Sequence, residues 1–309
     1  MTKTKSKFWN FFPVTAVLRG KSLLRQMAFV IGFSGAVFTS TPASALTIFG
    51  NSATFGPDLV HEFNISGGSG TLVQNFNVST GNGRGVVVVG NTIYSTESGP
   101  SGNPFGGSNK IYMTDRTTGL SLGSITVSGL PTGAAMSTLA WDGTHFWTSE
   151  YLGGNHAYRI DTSGTIVKTI TLGLASTNMD GMEYFNGKLI SNRFDGGIGG
   201  LNTYDIYDLD GNVLQANFIQ AINSTGIAFD GTDFFVSNIF NNTLSQWNGT
   251  TGAFIGNVSL LGNFQVEDLS IDYSLRPDTG GTPVPEPSTI ILLSLGLASV
   301  VGIKMKFRT

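Results

Sequence analysis

The middle of the chain alternates apolar and polar residues with a period of two, the pattern of half-buried β-strands. Three stretches align: LAWDGTHFWTSE (139–150), MEYFNGKLISNR (182–193) and IAFDGTDFFVSN (227–238), with Gly143, Gly187 and Gly231 spaced 44 residues apart. In each, an apolar run leads into an Asp-Gly or Asn-Gly turn and a second run, which predicts a β-hairpin. A diverged fourth copy is VVVVGNTIYSTE (86–97). Each copy is followed by another hairpin, over 111–127, 157–172, 204–219 and 244–260, turning at Gly119, Gly164, Gly211 and Gly252. Two hairpins in a repeat of about 40–50 residues make one four-stranded propeller blade.

The ends of this region supply the remaining pieces. LVHEFNISGGSGTLVQNFNV (59–78) is an outer hairpin without a first hairpin before it, and FQVEDLSIDYSL (264–275) is an opening strand without a partner after it. Joined, they complete a blade and remove the exposed sheet edges. The predicted fold is all-β: a five-bladed β-propeller over 46–278, closed by N-terminal strands. A six-bladed ring follows if 46–58 and 98–109 hold further strands.

Both termini break the alternation. Lys21 and Arg25 precede the apolar stretch Met27–Val37, and Thr41-Pro-Ala-Ser-Ala45 ends in an A-x-A pattern at Ala43 and Ala45. This predicts a signal peptide over 1–45, cut after Ala45. At the other end, 279–288 is a Gly/Pro-rich linker, and 289–309 is an uncharged apolar run closed by Lys304, Lys306 and Arg308. That run predicts a transmembrane helix with its basic tip held on the cytoplasmic side. Pro285 and Pro287 set its start, because proline cannot continue a helix backward.

Composition removes several function classes. The net charge is −3 and the basic residues gather at the two ends, so the middle offers no basic face to nucleic acid. With no cysteine there is no disulfide, thiolate nucleophile or Cys-ligated zinc. The 22 Phe, 8 Tyr and 4 Trp argue for a folded body despite 42 Gly. Trp141, Phe146, Trp147, Phe229 and Phe234 are expected to pack between blades. His61, His145 and His156 show no zinc-helix spacing, and no nucleophile elbow is present.

Val284-Pro285-Glu286-Pro287-Ser288, followed by the apolar run and the basic tip, resembles the PEP-CTERM sorting signal of Gram-negative bacteria. The resemblance implies an exported protein, tethered to the inner membrane by its C-terminal helix and processed near the motif by an exosortase-type enzyme. It then passes to the cell surface or extracellular matrix, with polysaccharide or matrix protein as partner. The body is similar to NHL-like and gluconolactonase-like propellers in Met179-Asp180-Gly181-Met182-Glu183 and Ser224-Thr225-Gly226-Ile227-Ala228-Phe229-Asp230.

Aligning the copies puts Arg84, Ser137, Asp180, Thr225 and Glu267 at one position, just before the innermost strand, with Asp268 next to Glu267. One channel mouth should therefore gather Asp180 and Glu267 opposite Arg84. Two readings follow. Asp180 and Glu267 could ligate Ca²⁺, and in lactonase-like propellers such a metal activates water. Alternatively, Arg84 neutralises the carboxylates in an ion-paired channel. The long loop 97–109 offers Phe105 as an aromatic contact. Taken together, the sequence points to a binding or scaffolding module at the envelope, with a metal-dependent hydrolase as the alternative.

Overall fold

In the computed structural model the alternating runs become strands. Residues 46–53, 58–79, 81–97, 109–131, 135–151, 154–174, 179–193 and 199–280 are described. The signal segment, Phe105, the sorting motif and the C-terminal apolar run lie outside them. Among the described residues no helix is long and apolar enough to cross a membrane.

The strands are β1 (Leu46–Ser52), β2 (Asp58–Ser66), β3 (Ser69–Ser79), β4 (Gly83–Val89), β5 (Thr92–Glu97), β6 (Lys110–Asp115), β7 (Ser121–Thr126), β8 (Ala135–Met136), β9 (Ala140–Trp141), β10 (Phe146–Tyr151), β11 (His156–Ile160) and β12 (Ile166–Thr171). They continue with β13 (Met182–Phe185), β14 (Lys188–Arg193), β15 (Leu201–Tyr207), β16 (Val213–Ile222), β17 (Ser224–Phe229), β18 (Asp233–Asn238), β19 (Thr243–Asn248), β20 (Phe254–Leu261) and β21 (Val266–Ser270). Two 3₁₀ turns, Tyr273–Leu275 and Pro277–Thr279, follow.

Antiparallel order runs β4-β5-β6-β7, then β8 and β9 on β10-β11-β12, then β13-β14-β15-β16 and β17-β18-β19-β20. The last group is β21-β1-β2-β3, so one C-terminal strand lies beside three N-terminal ones. A short parallel pairing of Ser259–Leu261 with Ser69–Thr71 joins it to β20. The stretch 46–58, left open above as part of a sixth blade, therefore supplies the second strand of the closing group. Inner strands β4, β9, β13, β17 and β21 contact one another in cyclic order. This all-β arrangement of four-stranded sheets is consistent with a β-propeller.

The core is divided the same way. Phe185, Phe218, Phe229 and Phe234 fill the gap between β13–β16 and β17–β20. Trp147, Met182 and Tyr207 fill the preceding gap, and Val87, Leu139 and Phe146 the one before that. Phe49, Phe76 and Val86 pack between the closing group and β4–β5, and Ile48, Phe63 and Phe235 pack between it and β17–β20. Every sheet thus buries apolar side chains against both neighbours, at about 25 cal/mol per Å² of apolar surface removed from water. The inner hairpins turn tightly. Asn186 (φ 47°) and Gly187 (φ 75°) both take positive φ, the requirement of a type I′ turn.

Two devices close the ring. Along β21 and the two residues after it, the Asp268 carboxylate, the Ser270 hydroxyl and the Asp272 carboxylate accept from the backbone N–H groups of Val86 (3.1 Å), Val88 (3.0 Å) and Gly90 (2.9 Å). Residues two apart on one strand face the same way, so three successive donors on the free edge of β4 are satisfied by side chains. Arg116 then pairs with Glu62 (2.7 Å) and Asp272 (3.2 Å) across the outer part of the same seam.

Residues 271–280 form a plug across the face where the inner strands end, here called the trailing face. Arg276 is buried and donates to Glu183 Oε1 (2.7 Å) and Asp278 Oδ2 (2.7 Å). Tyr273 donates to the same Glu183 oxygen (2.7 Å). Asp278 accepts from the Asn186 N–H in one inner turn (2.8 Å), and Thr279 lies against the Gly143 turn of another. Packing therefore continues to Thr279, which the sequence reading assigned to the linker.

A chain stopped after Gly280 keeps the plug and is expected to melt in one cooperative step. A chain stopped after Ile271 loses the buried Tyr273 ring together with the Arg276–Glu183 pair and uncovers the inner turns, a defect of about 3–5 kcal/mol from the ring alone. For a domain of this size that lowers Tm by roughly 6–20 °C in calorimetry. Equal melting temperatures for the two truncations would show that the plug contributes nothing.

Candidate functional site

The inner strands begin at the opposite, leading face. There polar residues on the second strands hold the inner strands in place, Thr96 and Ser237 reaching the neighbouring inner strand and Asn192 and Asn51 that of their own sheet. Thr96 Oγ1 accepts from Gly85 N (2.8 Å) and donates to Met136 O (3.1 Å). Ser237 Oγ accepts from Gly226 N (2.9 Å) and donates to Glu267 O (2.6 Å). Asn192 Oδ1 accepts from Asp180 N (2.8 Å) and Gly181 N (3.0 Å), and Asn51 Oδ1 accepts from Asp268 N (2.7 Å). The fit requires glycine at Gly181, just before β13, and at Gly226 in β17. A Cβ on Gly181 would stand 1.8 Å from Thr225 O, and one on Gly226 2.3 Å from Glu267 O.

Of the six sequence-predicted mouth residues, three come together. Arg84 Nη1 donates to Glu267 Oε1 in a short charge-assisted bond and lies 3.5 Å from Asp180 Oδ1. All three side chains are buried. Ser137 and Thr225 sit at the equivalent position but are used by the scaffold: Ser137 Oγ donates to Met179 O (2.5 Å) and Thr225 Oγ1 to Glu267 O (2.9 Å). Asp268 lies one residue deeper, where its Oδ2 accepts from Val86 N and from Leu139 N (3.3 Å).

Two carboxylates join the group that alignment alone did not assign to it. Asp58, at the start of β2, is buried and electrostatically coupled to Glu267 and Glu97. Glu97 accepts from Gly81 N (2.9 Å) and Tyr112 Oη (2.5 Å). Asp58 belongs to the one sheet built from both ends of the chain, so the repeat spacing carried no sign of it. Glu97 ends an aligned second strand, and its face follows only from the sheet.

One guanidinium thus faces more than one buried carboxyl. Burial raises the Glu267 carboxyl to about 8, against the opposing pull of Arg84, with Asp180 adding to the rise. Burial likewise raises Asp180, opposed by Arg84. It raises Asp58 well above the usual range, with help from Glu267 and Glu97. Asp268 is raised well above the usual range by burial, with Glu183 adding to the rise, against three backbone hydrogen bonds. Burial disfavours the charged form, so Asp58, Asp180, Glu267 and Asp268 keep their protons to higher pH than exposed carboxyls do. A divalent ion between Asp180 and Glu267 would compete with the guanidinium for both. Among the described residues no group of three or more His, Asp or Glu could hold a metal. The two carboxylates therefore do not fit a calcium pair while Arg84 bridges them.

Residues 283–306 match the family model described as the PEP-CTERM protein-sorting motif. The motif implies export and membrane-anchored sorting in Gram-negative bacteria, with processing by an exosortase-type enzyme. No curated protein matches the chain. Among solved structures the chain is similar to one described as a Nidogen/Laminin complex, with 9% identity, TM-score 0.48 and coverage of 74% of this chain and 98% of that one. It is also similar to glutaminyl cyclase from Myxococcus xanthus, with 14% identity, TM-score 0.41 and coverage of 66% and 77%. At those scores the likenesses carry no argument.

The raised carboxyls set the pH response. Glu267 binds its proton more tightly folded (about 8) than at its ordinary value of 4.5, so its contribution to stability is full below about 4.5 and is lost as pH rises towards 8. Glu183, raised to about 7 by burial against Arg276, acts in the same direction. Chemical denaturation between pH 5 and 8.5 should show stability falling with pH, and Glu267→Gln should flatten the upper part of the fall. A wild-type curve rising across that window would contradict the protonated cluster.

Proposed function

We propose that the body is a five-bladed β-propeller delivered to the cell surface or extracellular matrix, where it acts as a binding or scaffolding module rather than an enzyme. One observation carries the non-catalytic reading: the Arg84 guanidinium takes both carboxylates that a hydrolytic cation would need. The partner class we propose is polysaccharide or matrix protein, met by loops held on the rigid ring.

The blade number is supported by a repeated irregularity. In five fourth strands one residue is skipped in pairing with the third strand: Val73, Leu122, Val167, Leu214 and Ile255. Each is a large aliphatic, and all five are between 49% and 52% exposed. A β-bulge re-aims one side chain and increases local twist. Five equivalent bulges match the five inner strands in contact and the five inter-sheet cores.

Calcium separates this reading from the lactonase alternative. Millimolar calcium is expected to leave the Tm of the folded chain unchanged. A site filled to about 100 times its Kd would add about 2.7 kcal/mol, or roughly 5–10 °C. Such a shift in wild type, abolished in Asp180→Ala/Glu267→Ala, would establish the metal reading. For the address, replacing Pro285, Glu286 and Pro287 by alanine should remove the chain from the surface-accessible fraction while leaving its melt unchanged.

A further inference from the structure

We infer that the trailing face is held towards the bilayer in the tail-bearing precursor and that the leading face, with the Arg84–Asp180–Glu267 mouth, is presented outward. This rests on the sorting-tail reading and adds a direction to it.

The chain both enters and leaves the ring on one face. Strand β1 runs antiparallel to β21, with Phe49 opposite Ser270 and Ser52 opposite Val266. Leu46 therefore lies beyond the Ser270 end of β21, on the trailing face, beside Ile65 near the β2–β3 turn. At the other terminus the plug carries the chain across that same face. Asp272 meets Gly90, Asp278 meets Asn186, Thr279 meets the Gly143 turn, and the Arg276 guanidinium lies 5.3 Å from the Phe229 ring centre. These contacts belong to four inner hairpins, so Gly280 leaves the body close to its central axis.

The remaining tether is short. Eight residues, and so nine peptide steps, separate Gly280 from Thr289, where the apolar run begins. Fully extended they span about 30 Å. Turning the leading face to the membrane would take the tether from near the axis across four strands spaced about 4.8 Å apart, then down a strand of six or seven residues at about 3.3 Å each. That path is about 35–40 Å before the bilayer is reached, and the tether is too short for it. The Asp115, Asp161 and Asp208 turns share the trailing face, and like-charge repulsion keeps their carboxylates from entering an anionic headgroup layer.

The chain has no cysteine, so single probes can be placed without background. Thr250→Cys lies in the exposed β19–β20 turn on the trailing face, and Asn263→Cys in the exposed β20–β21 connection on the leading face. Each full-length variant would be made in a host without an exosortase-type enzyme, labelled with one fluorophore and reconstituted into phosphatidylethanolamine/phosphatidylglycerol vesicles carrying headgroup nitroxides. Quenching at Thr250→Cys should exceed that at Asn263→Cys by severalfold. Inserting twenty Gly/Ser residues after Gly280 should shrink the difference. Equal or reversed quenching in chains that stay with the vesicles would overturn the orientation and leave sorting intact. Chains released by carbonate washing would sink the tail-anchor reading and the orientation with it.

Discussion

The fold depends on the seam between β21 and β4. A ring of sheets is stable only when its last member meets its first, because an open ring leaves a strand edge and an apolar sheet face in water. Here the join uses side chains. Asp268, Ser270 and Asp272 satisfy the edge of β4 at Val86, Val88 and Gly90. Around it, β1–β3 complete the sheet that β21 begins, and Phe49 and Val86 share an apolar layer. Losing the join would expose the cores on both sides of the closing sheet together.

The two faces divide the buried charge unequally. At the trailing face Arg276 is matched by Glu183 and Asp278 and covered by the Tyr273 ring, 4.6 Å from the guanidinium. At the leading face one guanidinium serves Asp180 and Glu267 while Asp58 and Glu97 stand near. The first arrangement seals, since its cation is fixed from several sides. The second carries the larger excess of carboxyls over cations, so more of its groups respond to protons.

Much of the body was legible from turn chemistry. Asn-Gly and Asp-Gly pairs between alternating runs located the inner hairpins, and equal spacing set their register. The common position of Arg84, Asp180 and Glu267 could also be read, because equivalent strands converge on one axis. Three things could not. β1 needed a partner more than two hundred residues away, which no local pattern carries. Asp58 enters the site through that same closing sheet. Arg276 and Glu183 sit in segments whose burial depends on the plug crossing the face, so their charges read as surface charges until it does. The bulge residues were within reach, since Leu122, Val167, Leu214 and Ile255 each lie three positions after a turn glycine.

The closing strand also fixes when the molecule can become itself. Its seam joins residues 182 positions apart, and such distant pairings form slowly because the intervening loop must close first. Synthesis proceeds from the N-terminus, so β1–β3 wait for β21 until nearly all of the body has been made. The ring therefore cannot close, and its two flanking cores cannot be covered together, until β21 is present.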